Sequence, residues 1–452
     1  MVISSFRKGK YGIILSFYKG NYYVTNKNMK EILKTIIRDF HTSDLPGFFD
    51  RAIDFSLDSN KIITLVGARR TGKTYCFYQI MKQLSEFVPK QNMIYINFED
   101  ERLDLKASNL GLIIDSYYEL YPEQRGELYF FFDEIQNVEG WEKFVRRIYD
   151  SVSKKIFITG SSSKLLSKEI ASSLRGRSLS FEIFPFSFKE YLSIKNINYE
   201  DYSSTKNKAK IIKSFQDYLL NGSFPEIINF SNTDRRKTLQ SYFDVMIYRD
   251  IIERYSIKNP VALKYFVKKG VANVGNKLSV NKLYNELKSQ GIKISKDSIY
   301  EYVNYVQDCY LLFTVNMFSE SVSIQSVNDK KLYCIDNGLA NTISFKYSED
   351  RGRLLENIVF LKLRSLTEEI FYHEEKRECD FIYQENNKMK AIQVTQKIDL
   401  SNKEREVEGL TEAMQRFDIN EGIILTEENS DEMQIGNKKI ITKPTWRWLL
   451  DV

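Results

Sequence analysis

The chain has 452 residues, 42% hydrophobic and 28% charged, with a formal net charge of +6. That length exceeds one ordinary domain, and the balance excludes disordered and fibrous classes. No apolar run approaches ~18 residues, which excludes a membrane-spanning helix, and the only two histidines, His41 and His373, lie far apart, which rules out an H-E-x-x-H zinc site and speaks against a Ser-His-Asp triad.

Residues 1–29 place basic residues before a short apolar run without an A-x-A-like exit, and a Tyr-rich pattern comes after it. We read them as an N-terminal β extension, a hairpin or a stretch ahead of an alternative start at Met29. The four cysteines, Cys76, Cys309, Cys334 and Cys379, lie far apart and form no C-x-x-C. They point away from a zinc site and toward a reducing, cytoplasmic setting. Chemistry therefore falls to carboxylates, Lys, Arg, backbone groups and bound metal.

"NKIITLVGARRTGKTYCFYQIMKQL" (60–84) runs from an apolar strand through Gly67-Ala68-Arg69-Arg70-Thr71-Gly72-Lys73-Thr74 into a helical pattern that begins near Tyr75. G-x-x-x-x-G-K-T between strand and helix predicts a phosphate cradle: the glycines let backbone N–H groups face phosphate oxygens at the positive end of a helix. Lys73 would reach the β- and γ-phosphates of ATP, and Thr74 would ligate Mg²⁺. A strand is predicted within 92–103. The apolar strand of 127–138 ends in Asp133-Glu134, which assigns Asp133 to the magnesium shell and Glu134 as general base for water. A strand within 154–166 ends in small hydroxyls, so Thr159, Ser161 or Ser162 is the γ-phosphate sensor, with Ser161 the chosen candidate. One strand intervenes between the loop strand and the Asp-Glu strand, as in ATPases that carry a catalytic Glu. Arg175 and Arg177 come next. They are either a finger reaching a neighbouring subunit's nucleotide, which implies a homo-oligomer, or a solvated basic turn.

At this point "GARRTGKT", "INFEDERL", "FFFDEIQNVEGWEKFVRRIYD", "FITGSSSKLLSKEIASSLRGR", "FPFSFKEYL" and "GSFPEI" together resemble the prokaryotic AAA-type ATPases that carry a C-terminal domain of unknown function. The resemblance covers residues 30–452 and implies an α/β fold: a P-loop core (30–192), a linker and helical lid (193–255), a winged helix (256–345) and a restriction-endonuclease-like domain (346–452). Residues 193–210 read as linker. Arg249-Asp250, which has a counterpart in that family, is weighed as an ATP-site pair against a solvated ion pair, and the solvated pair is preferred.

From Ser256 to Tyr300 nine lysines face two acids, a net +7. Within 277–315, Ser279 and Ser295 cap two predicted helices and a strand pair succeeds them, a helix-turn-helix with a hairpin. Lys293, Lys296, Ser298 and Tyr300 near the start of the second helix are candidate DNA contacts; the competing reading is a docking surface for a protein partner.

Residues 351–428 show an αβββαβ order that looks like the restriction-endonuclease core. Carried over by position, Glu356 is the helix acid and Asp380 the first strand acid, with Glu378 as an additional acid. Gln393 occupies the second acid's place and Thr395 the lysine's, with Lys397 as a conceivable substitute. Mg²⁺ prefers anionic oxygens, so the expectation is a nuclease fold without efficient cleavage. The functional expectation is a cytoplasmic Mg²⁺-dependent ATPase acting on or recruited to DNA; the rival is a protein-binding switch with slow ATP turnover.

Overall fold

The computed structural model describes residues 26–162, 172, 174–321, 325, 328–344 and 350–452. Two sheets organise them. The first has five strands, β1 (Ile62–Val66), β2 (Met93–Asn97), β3 (Tyr129–Asp133), β4 (Ile156–Gly160) and β5 (Ser178–Glu182), all parallel in the order β2-β3-β4-β1-β5. A parallel sheet covered by helices buries both faces, which is why β1, β3 and β4 read as unbroken apolar runs. All five residues of each are buried. The strand that intervenes in sequence, β2, lies outside β3, and β4 sits between β1 and β3. Phe131 and Phe157 stack 4.7 Å apart, and Phe77 of the helix Lys73–Leu84 meets Phe131 edge-on at 5.3 Å. Each fully buried Phe contributes roughly 1.5–3 kcal/mol, so this cluster pins the helix that opens at Lys73 to the strands that end beside it.

The described part of the expected β extension is helical instead. Asn26–Thr42 is a helix whose Met29, Leu33, Ile36 and Ile37 are buried, because apolar residues recur at helical spacing there. Residues 1–25 lie outside the described residues. The expected linker is shorter than 193–210: one helix runs to Ile194 and the next starts at Thr205.

The second sheet has nine strands in the order β13-β14-β12-β11-β10-β9-β7-β8-β6. They are β6 (Lys277–Leu278), β7 (Leu312–Met317), β8 (Lys330–Cys334), β9 (Ile370–Glu374), β10 (Glu378–Glu385), β11 (Lys388–Val394), β12 (Glu421–Thr426), β13 (Asp431–Ile435) and β14 (Lys438–Pro444). Helices Pro260–Ala272, Val280–Ser289 and Lys296–Asp308 precede β7. The expected division at 345/346 falls inside this sheet, since β7 pairs in parallel with β9 through Asn316↔Phe371 and Met317↔Tyr372. The two C-terminal segments thus share one sheet.

Candidate nucleotide site and a second carboxylate cluster

The loop after β1 turns at two glycines. Gly67 has φ +152, and a Cβ there would lie 2.3 Å from the Ile183 carbonyl oxygen; Gly72 has φ +94 and opens the helix. The first N–H groups of that helix have no intrahelical partners and a positive dipole end, which suits phosphate oxygens. A cleft of about 780 Å³ adjoins them, lined among others by Lys73, Thr74, Asp133, Glu134, Tyr242 and Arg249.

Asp133 is 1% exposed and fully engaged. Its Oδ2 accepts hydrogen bonds from Thr74 Oγ1 (2.8 Å) and the Tyr95 hydroxyl (3.0 Å), and its Oδ1 accepts one from Thr159. Thr159 Oγ1 in turn accepts the Glu134 N–H at 2.9 Å. Burial and the neighbouring Glu134 charge push Asp133 above the usual carboxylate range, against those three donors. Burial is the largest influence on Glu134 and acts to raise it, but the Lys73 charge, the Gln136 and Ser161 hydrogen bonds and the Arg69 charge together outweigh it, so Glu134 sits below its ordinary value and stays ionised. Lys73 lies 3.5 Å from Glu134 and donates to the carbonyls of Gly67 (3.1 Å) and Ala68 (3.0 Å). Glu134 itself is held in the left-handed region, φ 52, a strained setting for a non-glycine residue. The Ser161 N–H donates to Glu134 Oε2 at 3.1 Å, while the Ser161 hydroxyl is buried with no hydrogen-bond partner. An orphaned buried hydroxyl is costly, and this one adjoins Glu134.

The remaining loop residues divide. Ala68 and Thr71 are buried, and the Thr71 hydroxyl donates to the Ala68 carbonyl at 2.9 Å. Arg70 is largely exposed over the Tyr242 ring, and Tyr75 is exposed against Tyr78. Arg69 turns toward the helical segment Met246–Glu253, bonding Asp250 at 2.9 Å, and also bonds Glu99 at 2.7 Å. The preferred solvated reading of Arg249-Asp250 is therefore corrected: Asp250 is 1% exposed and pairs with Arg69 and Arg254, whereas Arg249 lines the cleft. The two are neighbours on the π-helical segment Met246–Glu253, and successive residues of any helix point in different directions, so Asp250 turns inward while Arg249 faces the cleft. Arg175 is exposed at φ 53, but Arg177 is tied to Asp150 at 3.0 Å and lies over the Tyr149 ring. Sequence reasoning missed Arg51, a buried arginine bonding Glu190 (2.7 Å) and the Thr71 carbonyl (3.0 Å), because nothing local marks it.

The second cluster closes on a lysine. Lys331 of β8, 2% exposed, places its ammonium 2.8 Å from Glu356, 2.8 Å from Glu378 and 2.7 Å from Asp380. Tyr333, two residues along the same strand face, donates to Glu356 at 2.7 Å. Burial pushes Glu356 up to about 7 despite Lys331. Burial also acts to lower Lys331, yet the charges of Asp380 and Glu356 hold it well above its ordinary range. An irregularity in β10 between Cys379 and Ile382 frees the Asp380 N–H from the ladder, and Gln393 Oε1 accepts it at 3.2 Å. The Gln393 amide donates to Glu406 at 2.7 Å, so Gln393 links the Asp380 backbone to the Glu406 carboxylate. Thr395 donates to the Lys397 carbonyl. The substitution by Lys397 is contradicted: its side chain is 70% exposed and pairs with Asp399.

On the helix Lys296–Asp308, Ser295 accepts the Ser298 N–H at 3.1 Å, and Lys293, Lys296 and Tyr300 are exposed. The lysine excess is partly spent internally. Lys277 pairs with Glu374 and Glu378, and Lys269 with Glu286.

Residues 59–192 match the family described as "AAA domain", and 212–350 match a domain of unknown function, DUF8612. The uncharacterized protein MJ1544 of Methanocaldococcus jannaschii is 40% identical over 416 residues, covering 89% of this chain and 91% of that protein. This chain belongs to the MJ1544 family. An uncharacterized Haemophilus influenzae protein is 27% identical, covering 88% of this chain and 97% of its own. Among solved structures, Cdc6p from Pyrobaculum aerophilum aligns at 12% identity and a TM-score of 0.24, over 76% of this chain and 97% of that one. A value that low leaves the fold to rest on the chain's own geometry. In this MJ1544-family chain the DUF8612 match runs from residue 212 past β8, so Lys331 comes from that unit while its acids come from beyond it. Among the described residues no helix is long and apolar enough to cross a membrane.

Proposed function

We propose that the protein is a magnesium-dependent ATP hydrolase of the AAA type that acts on, or is recruited to, DNA. The observation that carries the reading is the Asp133 constellation: a loop hydroxyl, Thr74, and a strand hydroxyl, Thr159, both bonded to one buried carboxylate beside an ionised Glu134. A hydroxyl and a carboxylate 2.8 Å apart are a hard-oxygen pair that fits Mg²⁺. Thr74 and Asp133 would hold the ion, whose chemistry is to neutralise phosphate charge. Lys73 binds the β- and γ-phosphates, and N–H groups of Gly67 through Tyr75 cradle them. Glu134 takes the proton of the attacking water, and the Ser161 hydroxyl donates to the terminal phosphate. Arg175, exposed and without an ion pair among the described residues, is the better finger across a homo-oligomer; Arg177 supports its turn.

We further infer a P-loop core over 30–192, a helical lid, a winged helix within 256–345 and a restriction-endonuclease-like domain after 346. Lys293, Lys296, Ser298 and Tyr300 form the DNA-facing helix start, and Glu356, Asp380, Gln393 and Thr395 a cluster without efficient cleavage. Four free, buried cysteines suit a reducing cytoplasm. The rival, a protein-binding switch, draws support from the lysines already paired within the fold. ATPase rate against single-stranded, duplex and branched DNA separates the two: stimulation by DNA supports the proposal, and an unchanged rate with all three favours the switch.

A further inference from the structure

His373 is one of two histidines in the chain, and its setting is unusual. It lies in β9, 5% exposed, with Nε2 buried and without a hydrogen-bond partner. Its ring meets Phe417 edge-on at 5.4 Å, which holds its direction. Facing Nε2 are Glu412 Oε1 at 3.7 Å and Glu375 Oε1 at 4.0 Å, and ligand atoms of the three residues lie within 4.8 Å of one another. These gaps exceed hydrogen-bond length. Two ligand atoms each ~2.1 Å from a tetrahedral ion stand ~3.4 Å apart, so Glu412 at 3.7 Å is close to ion-bridging distance from Nε2, and Glu375 at 4.0 Å must move inward to join it.

We propose that His373, Glu375 and Glu412 bind a first-row transition-metal dication, zinc foremost, that ties the β9–β10 turn to the helix Lys403–Arg416. The supporting shell is present. Glu412 Oε1 accepts the N–H groups of Glu375 (3.2 Å) and Lys376 (3.1 Å), which fixes the carboxylate at the turn as outer-shell bonds fix metal ligands. Glu375 is exposed and free to swing the last fraction inward. Arg416, the neighbouring cation, is taken by Glu320 at 2.7 Å. One imidazole with two carboxylates suits zinc, cobalt or manganese better than magnesium or calcium, which favour all-oxygen shells. The location gives the ion a purpose. β9 joins the two parts of the nine-stranded sheet through β7 and β10, and Phe318, just past β7, packs on Phe417 at 4.7 Å. A tie there stiffens the seam between the DUF8612 segment and the strands C-terminal to it.

The test uses the full chain, stripped with chelator and dialysed against Zn²⁺ or Co²⁺ in saturating Mg²⁺, which occupies the nucleotide site. Wild type should retain one ion per chain and melt at higher temperature with Zn²⁺. His373→Ala should lose that ion. Glu375→Gln, at an exposed position that leaves folding intact, should bind at least about tenfold more weakly. Failure of wild type to retain an ion, or retention equal to wild type by either variant, overturns the proposal.

Discussion

Two carboxylate clusters, each closed on one buried lysine, face different fates in this molecule. At the first, Lys73 stands 3.5 Å from Glu134, shares its protons with loop carbonyls and opens onto a cleft of about 780 Å³. At the second, Lys331 is caged by three carboxylates at 2.7–2.8 Å. The same residue types therefore give opposite chemistry. A lysine beside a Gly-rich turn, held by backbone carbonyls and facing an open cleft, is on the proposed reading a cation kept for a ligand. A lysine enclosed by three acids is itself the counter-ion, and its ammonium fills the centre that a divalent metal would need.

The strongest way to break this contrast is at Lys73. Lys73→Ala should abolish nucleotide binding in a fluorescent-nucleotide titration. Glu134→Gln should still bind ATP but lose about 10²- to 10⁴-fold in turnover, since only the base is removed. Near wild-type turnover in Glu134→Gln would end that assignment. At the other cluster, Lys331→Met leaves buried acids without their cation and should cost about 3–5 kcal/mol, read by denaturant unfolding. Added Mn²⁺ should recover part of the loss only in that variant. Wild type should not cut DNA with Mg²⁺ or Mn²⁺; cleavage abolished by Asp380→Ala would show that the caged cluster is a working site.

Protons sharpen the same contrast. Folded Glu356 keeps its proton up to about pH 7, whereas an unfolded Glu releases it near 4.5. Unfolding in that window therefore releases a proton, and stability should fall as pH rises from about 4.5 to about 7, by on the order of 3 kcal/mol in all. Glu356→Gln should flatten this slope in unfolding measured across pH. The smallest expected effect lies outside both clusters. Lys293→Glu with Lys296→Glu should weaken DNA binding about tenfold or more and reduce the slope of log K against log salt by about 2, since each lost phosphate contact removes about one. Unchanged affinity at low salt would favour the protein-docking surface.

How much was legible depends on how far each feature reaches along the chain. Gly67, Gly72, Lys73 and Thr74 lie in one turn, and Asp133-Glu134 end one strand, so local backbone preference and apolar period were enough to place them at the head of the strands. The helix at Asn26–Thr42 was missed because its period starts inside a segment whose earlier half suggested a strand. Asp250 looked solvated because its buried partner, Arg69, is 181 residues away and nothing local marks the pairing.

By itself, then, the sequence determined the α/β core and the phosphate loop, because those rest on contiguous residues with steric and dipolar requirements that only certain side chains meet. Tertiary structure alone decided which charges meet: Arg69 with Asp250, 181 residues away, Lys331 with Asp380, 49 away, and Gln393 with Glu406. The physical reason is that strand side chains alternate faces, so one irregularity in β10 and the pairing of β7 with β9 fix which lysine enters a carboxylate cage. No local pattern at "KKLYC" distinguishes a solvated lysine from a buried one; only the neighbouring strands and the helix Arg351–Arg364 bring the acids to it.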